Sequence, residues 1–448
     1  MVRMAGRVAR VTGALGCAAA LLALVACSDG DHRDDGRSRA RDAARTVRSD
    51  PGRPGVGGSA RSATPTGSPG AAVAPVWGFA RFTAPGSPSG NVPTVVPATQ
   101  SAGSWRTAGG AGAAAQVTVM RRQTGGYRVT FPGIAVAAGR GAAIVTALDP
   151  AAAVVDTTAP VVSCHVVRWD AAGRDEQVDL TCRDAAGTPA DSGFTALFSH
   201  VPDTPAPAPA PSPGGAYAYL RSDAASAATS HPANAYSVSG PGTIEVHRVG
   251  AGHYTIDLTG PAFAKNGNNL QVNAIGDGPV GCNALGRVVK KDRQSVFVGC
   301  ARGSAWTDSP FVLLYTSGHA LIPTGAASFG HAFTGIIRPG EPVQQVPPGP
   351  AVNAWAWYSA NSSGATNLIS RVGVGRYQVS FPGISRIPGS FQVTPYGEPT
   401  ARCAADELPV PAAGGGEFTG VTVAVRCVDA AGRPADSYAS VAYVSASA

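Results

Sequence analysis

Along most of this chain apolar positions alternate with polar ones and do not recur at every third or fourth place. The run Tyr377-Gln378-Val379-Ser380-Phe381 is typical, with three large apolar side chains on one face and two polar ones on the other. Period-two patterning of β-branched and aromatic residues predicts half-buried strands, and no long segment carries a helical period. Between residues 329 and 444 the pattern predicts strands at 329–333, 355–359, 367–372, 377–381, 391–394, around Cys403, at 421–427 and at 438–444. Gly373-Val374-Gly375 supplies a hairpin turn between two of them.

The pattern is written three times, with a period of about 125 residues, and such self-similarity marks a chain built of repeated units. Its sharpest part is Gly125-Gly126-Tyr127, Gly252-His253-Tyr254 and Gly375-Arg376-Tyr377, each opening an alternating run. Arg121, Arg248 and Arg371 sit six residues before the tyrosines; Val119, Val246 and Ile369 sit eight before. Asp191-Ser192, Asp308-Ser309 and Asp436-Ser437 recur near the end of each copy, after glycine-proline stretches in the first and third. There the aspartate is expected to bond nearby backbone amides in a tight turn.

About eight short strands per copy predict an all-β fold of three tandem antiparallel β-sandwich-like modules. A six-bladed β-propeller, two blades per copy, is the alternative. The proline-alanine spacer at 204–213 favours sandwiches, because a closed propeller would have to loop it out. The expected organisation is a leader (1–26), a tether (27–75), modules at 76–200, 215–317 and 318–448, and a proline-rich linker at 201–214.

Composition sharpens this. Glycine (57) and proline (37) are abundant and charged residues make up only 14%, which favours turns and spacer over long helices. The net charge of +7 sits largely outside the modules, in Arg3, Arg7, Arg10 and an arginine cluster between 33 and 61. With no basic face on the modules, nucleic acid is not an expected partner.

Of eight cysteines, six fall two per module: Cys164 with Cys182, Cys282 with Cys300, and Cys403 with Cys427. Fifteen pairings exist in principle, but the repeated spacing predicts one bridge inside each copy. Outside the cytoplasm such bridges persist, and each loop is worth about 3 kcal/mol in the chain-entropy model. Metal ligation would need cysteines or histidines at shorter intervals.

The other two cysteines lie near the start. Cys17 is inside an apolar stretch from 11 to 25 that follows a basic start, and Leu24-Val25-Ala26-Cys27 closes it. This resembles the lipobox of bacterial lipoproteins, and the resemblance implies cleavage before Cys27, lipid on its thiol, and a place on the extracytoplasmic face of the cell membrane. Residues 28–74 are rich in Arg, Asp, Gly, Ser and Pro and too poor in apolar surface to offset ordering. As a flexible tether they reach about 35–40 Å. The modules resemble tandem repeats of secreted, uncharacterised actinobacterial and myxobacterial proteins in the Gly-x-Tyr-x-Val-x-Phe-Pro-Gly run, in the Val145-Thr146-Ala147 strand with its variants Val272-Asn273-Ala274 and Val393-Thr394-Pro395, and in the cysteine pair. That resemblance implies no activity.

Chemistry is sparse. No nucleophile elbow, zinc-binding His-Glu-x-x-His or phosphate-cradling loop occurs. Asp175, Glu176 and Asp179 are expected in a loop between the first two bridged cysteines, without acidic counterparts in the other copies. Asn266-Gly267-Asn268-Asn269 is expected to be a polar loop and not a calcium site, and His247 and His253 to stand on two arms of one hairpin. Trp355 and Trp357, two apart on a predicted strand, are the candidate ligand-binding residues, an aromatic platform if exposed and core if buried. The expected protein is a lipid-anchored, non-enzymatic envelope protein without cofactor, structural, adhesive or ligand-binding, with a cell-wall glycan or another surface protein as partner. Carbohydrate binding and hydrolysis of envelope polysaccharide are the alternatives.

Overall fold

The computed structural model of the protein describes residues 74–446 apart from 87–91, 107–114, 138, 153, 155–157, 203–214, 266, 324–326, 337–343, 347–358, 385–386 and 409–419. The first copy runs through β1 (Val76–Phe82), β2 (Thr94–Val95), β3 (Ser101–Gly103), β4 (Thr118–Gln123), β5 (Gly126–Phe131), β6 (Ala142–Ala147), β7 (Ser163–Ala172), β8 (Asp175–Arg183) and β9 (Phe194–His200). They form a four-stranded sheet ordered β3-β1-β9-β6 and a five-stranded sheet ordered β2-β4-β5-β8-β7. The pairings within both are antiparallel. The second and third copies repeat both orders. The fold is thus all-β and sandwich-like, and it is not a propeller.

Alternation explains the sandwich. Tyr127, Val129 and Phe131 of β5 point inward and are at most 1% exposed, while Arg128 and Thr130 face outward. Aromatic pairs join the two sheets: Tyr127 meets Phe82 at 6.0 Å and Phe194 at 5.3 Å, and Trp105 meets Phe131 at 6.3 Å between ring centroids. The cysteines pair as expected, directly across β7 and β8 and across the equivalent hairpins, with Cα separations of 4.0, 4.1 and 4.1 Å.

The recurring Arg, Gly, Tyr and Asp meet at one corner of each sandwich. Asp191 Oδ1 accepts the Gly125 N–H and the Tyr127 hydroxyl, both at 2.9 Å, while Arg121 grips both its carboxylate oxygens. Asp308 and Asp436 make the same contacts to Gly252, Tyr254 and Arg248, and to Gly375, Tyr377 and Arg371. The aspartate therefore secures a hairpin more than fifty residues earlier, and not a local turn as the sequence suggested. Gly125 is required at φ +68°, where an added Cβ would lie 2.4 Å from the carbonyl oxygen of Cys182.

Two further expectations are corrected. Asp175, Glu176 and Asp179 lie on β8, not in a loop. Asn268 and Asn269 belong to a buried strand, Asn268–Ala274, where Asn268 donates to Gln294 at 2.9 Å. His247 and His253 do stand on two arms of one hairpin.

The described residues belong to one compact unit, Ser68–Ala448. At its centre are β6 and its counterparts Asn268–Ala274 and Gly389–Tyr396, each the edge of a four-stranded sheet. An edge strand presents unpaired amides, and here the neighbouring copy satisfies one on each. Val145 N–H donates to Asn273 Oδ1 at 2.6 Å, Val272 N–H to Thr394 Oγ1 at 2.9 Å, and Val393 N–H to Thr146 Oγ1 at 2.9 Å. The donors are equivalent residues, the acceptors are equivalent residues, and the direction runs one way round.

A second cycle reinforces the first. Single parallel bridges join Leu148 to Ala405, Ile275 to Val166 and Tyr396 to Ala284. The next amide of each copy, at Asp149, Gly276 and Gly397, donates to the bridged residue's carbonyl at 2.9, 3.0 and 2.9 Å. One chain thereby builds a pseudo-three-fold ring of sandwiches. Among the described residues no helix is long and apolar enough to cross a membrane.

Candidate ligand site on the pseudo-three-fold axis

A small cavity of about 60 Å³, open to solvent, lies where the three copies converge. Its base repeats in threes, with Val145, Val272 and Val393 beside the first cysteine of each bridge, Cys164, Cys282 and Cys403. Three disulfide-stapled hairpins thus hold the wall in place, with little ordering left for a ligand to impose.

The wall departs from three-fold symmetry where chemistry enters. The residue after the first cysteine is His165 in copy one, Asn283 in copy two and Ala404 in copy three. Arg183 follows the second cysteine of copy one, and Arg402 precedes the first cysteine of copy three. Arg183, Arg402, His165 and Asn283 all line the cavity, and no aspartate or glutamate does.

Main-chain carbonyls fix these side chains. Arg402 donates to the Asp184 carbonyl at 2.6 Å, and Arg183 to the carbonyls of Gly187, at 2.9 Å, and Asp277. Asn283 donates to the carbonyls of Glu398 at 2.7 Å and Ala401 at 2.8 Å. All of these except the Arg183–Gly187 bond tie one copy to the next. Burial pushes His165 down to about 4, and the charges of Arg183 and Arg402 push the same way, so its ring is neutral at pH 7. Burial also lowers Arg402 from its ordinary value.

A second pocket, of about 530 Å³, opens between copies one and three and is lined by Asp149, Asp191 and Asp406. Each is ion-paired, to Arg426 at 2.6 Å, Arg121 at 2.6 Å and Arg81 at 2.5 Å. Glycosidases need one carboxyl that keeps its proton beside one that does not, and all three carboxylates here are already engaged by guanidinium groups. Glu176 does hold its proton, pushed up to about 8 mainly by burial, but it has no accessible surface and lines neither pocket.

Trp355, Trp357 and Cys27 lie outside the described residues. Trp105 packs in the core at 2% exposure, and Tyr236 is half-buried. Among the described residues the exposed aromatic rings are Tyr438, 47% exposed, and Trp306, 38% exposed and stacked on His253 at 3.5 Å between ring centroids. The signal for Trp306 was present in the sequence: copy two carries Trp306-Thr307 where copies one and three carry Pro-Ala.

No protein-family model, curated relative or solved structure matches the chain.

Proposed function

We propose that this is an exported, lipid-anchored, non-enzymatic protein of the cell envelope whose three sandwiches form one trimer-like binding head. The observation that carries the reading is the cyclic set of hydrogen bonds from Val145, Val272 and Val393, which makes a single cavity out of three copies. Three bridges that persist in an oxidising space agree with export. The leader ending at Cys27 and the tether after it would hold the head away from the bilayer.

Two experiments test this. Labelling with a fatty-acid analogue should mark the wild type and not Cys27→Ala; equal labelling removes the anchor. A panel of glycans, peptidoglycan and wall polymers, with hydrolysis products monitored, should show retention without turnover. Released sugars would make the protein a hydrolase.

Carbohydrate recognition is a second reading, supported by the exposed ring of Trp306. An exposed indole face can stack on a sugar ring, and its fluorescence should respond to a bound glycan. Trp306→Ala should then abolish glycan retention, and undiminished retention would exclude this surface.

A further inference from the structure

We propose that the axial cavity binds a small oxyanion, carboxylate, sulfate or phosphate, between Arg183 and Arg402. This rests on the reading of the molecule as a binding head and names the chemistry of its central site. Both guanidiniums line the cavity, both are engaged by main-chain carbonyls, and neither makes an ion pair among the described residues. A carbonyl fixes a guanidinium without cancelling its charge. The nearest acid felt by Arg402, Asp184, directs Oδ1 to the amide of Thr188 at 2.9 Å, within its own turn.

Two buried nitrogens at the cavity have no hydrogen-bond partner, Arg183 Nε and His165 Nε2. Buried polar groups in folded proteins are nearly always paired, so an unpaired one calls for an explanation. An oxyanion would accept from Arg183 Nε–H while neutralising the two cations. A metal ion is disfavoured by the same wall, which offers two positive charges and no carboxylate.

Isothermal titration of the purified full chain with sulfate, phosphate and citrate, each against chloride at matched ionic strength, tests this. Binding specific to an oxyanion is expected, with the His165 ring nitrogen resonances shifting on addition. Arg183→Gln and Arg402→Gln should each weaken it about tenfold or more, the worth of one charge-assisted hydrogen bond. Arg402→Lys, which keeps the charge, should bind with intermediate affinity, and Arg302→Gln, an exposed change elsewhere, should match wild type.

Preference for citrate would assign a carboxylate ligand, and preference for sulfate or phosphate a tetrahedral one. Heats no different from chloride, or wild-type affinity in both glutamine variants, would overturn the site. Wall-polymer retention without oxyanion binding would sink this site alone, and absence of both would sink the binding head as well.

Discussion

The side-chain oxygen of Asn273, in the second copy, accepts the backbone N–H of Val145, in the first, at 2.6 Å. A side chain from one repeat thus stands where a neighbouring strand would be, and Thr394 and Thr146 do the same around the ring. All three acceptors are at most 8% exposed. Burial raises their worth, because an amide that loses its partner there cannot turn to water.

Removing one acceptor should therefore cost more than an ordinary surface hydrogen bond. Asn273→Leu or Thr394→Val leaves a buried N–H unsatisfied and should cost about 1–3 kcal/mol. Urea unfolding followed by tryptophan fluorescence would report this as a lower midpoint at unchanged slope. Midpoints equal to wild type would mean that the cycle contributes nothing to stability.

The pair of Arg426 and Asp149 joins the third copy to the first, with side chains only 5% and 8% exposed. Arg426 also donates to the Ala159 carbonyl at 2.6 Å. Arg426→Met strands the carboxylate and should cost about 3–5 kcal/mol. Adding Asp149→Asn should recover part of the loss, as a double-mutant cycle would measure.

Glu176 sets a slope on the alkaline side. Its ordinary value is 4.5 and burial raises it to about 8, with one carboxyl oxygen accepting the Val136 N–H and the other unpaired. Between those values the unfolded chain has released a proton that the folded protein still holds, so stability falls as pH rises. Glu176→Gln removes that slope, and its advantage over wild type should reach about 2–4 kcal/mol by pH 9. Gln294, with no accessible surface, fills the equivalent place in copy two, so the substitution has a precedent within the chain. Denaturant midpoints from pH 5 to 9 that run parallel in the two proteins would refute the assignment.

The opposite slope operates in acid. His165 and His331 are pushed down to about 4 and about 3, chiefly by burial. As pH falls through 6.5 the unfolded chain gains protons that these rings refuse, and stability declines until their folded values are passed. Maximum stability near pH 6, read from melting temperature against pH, is the expected result.

Each bridge closes a loop of 18 or 24 residues. Cys282→Ser with Cys300→Ser should cost about 3 kcal/mol. The same change should loosen the axial cavity, because Cys282 lines it. Hydrogen exchange at residues 276–283, faster in the double variant, would check both effects together.

Much of each sandwich was legible in the amino-acid order. The strands expected at 377–381 and 421–427 are found at Arg376–Pro382 and Gly420–Val428. Repeated spacing disclosed the bridges. The acids of β8 were misplaced because Glu176 sits on the inward face with Val178 and Leu180 and breaks the apolar alternation on which strand assignment rests. The ring was harder to see. Thr146, Asn273 and Gln392 look like solvated polar positions, yet they are buried against another copy. One signal was present: Ala142–Ala147 is almost continuously apolar, as a strand covered on both faces should be, and all six residues are buried. The cavity combines residues from all three copies and has no local signature.

Joining three equivalent units in one polypeptide changes how the assembly responds to its surroundings. A trimer of separate subunits dissociates on dilution and confronts any ligand with three identical walls. Here the neighbours are covalently tethered, so the quaternary arrangement is independent of concentration. Concatenation also releases each unit from the obligation to match the others. That freedom permits a histidine, an asparagine and an alanine at one equivalent position, and hence an asymmetric binding surface on a nearly symmetric frame.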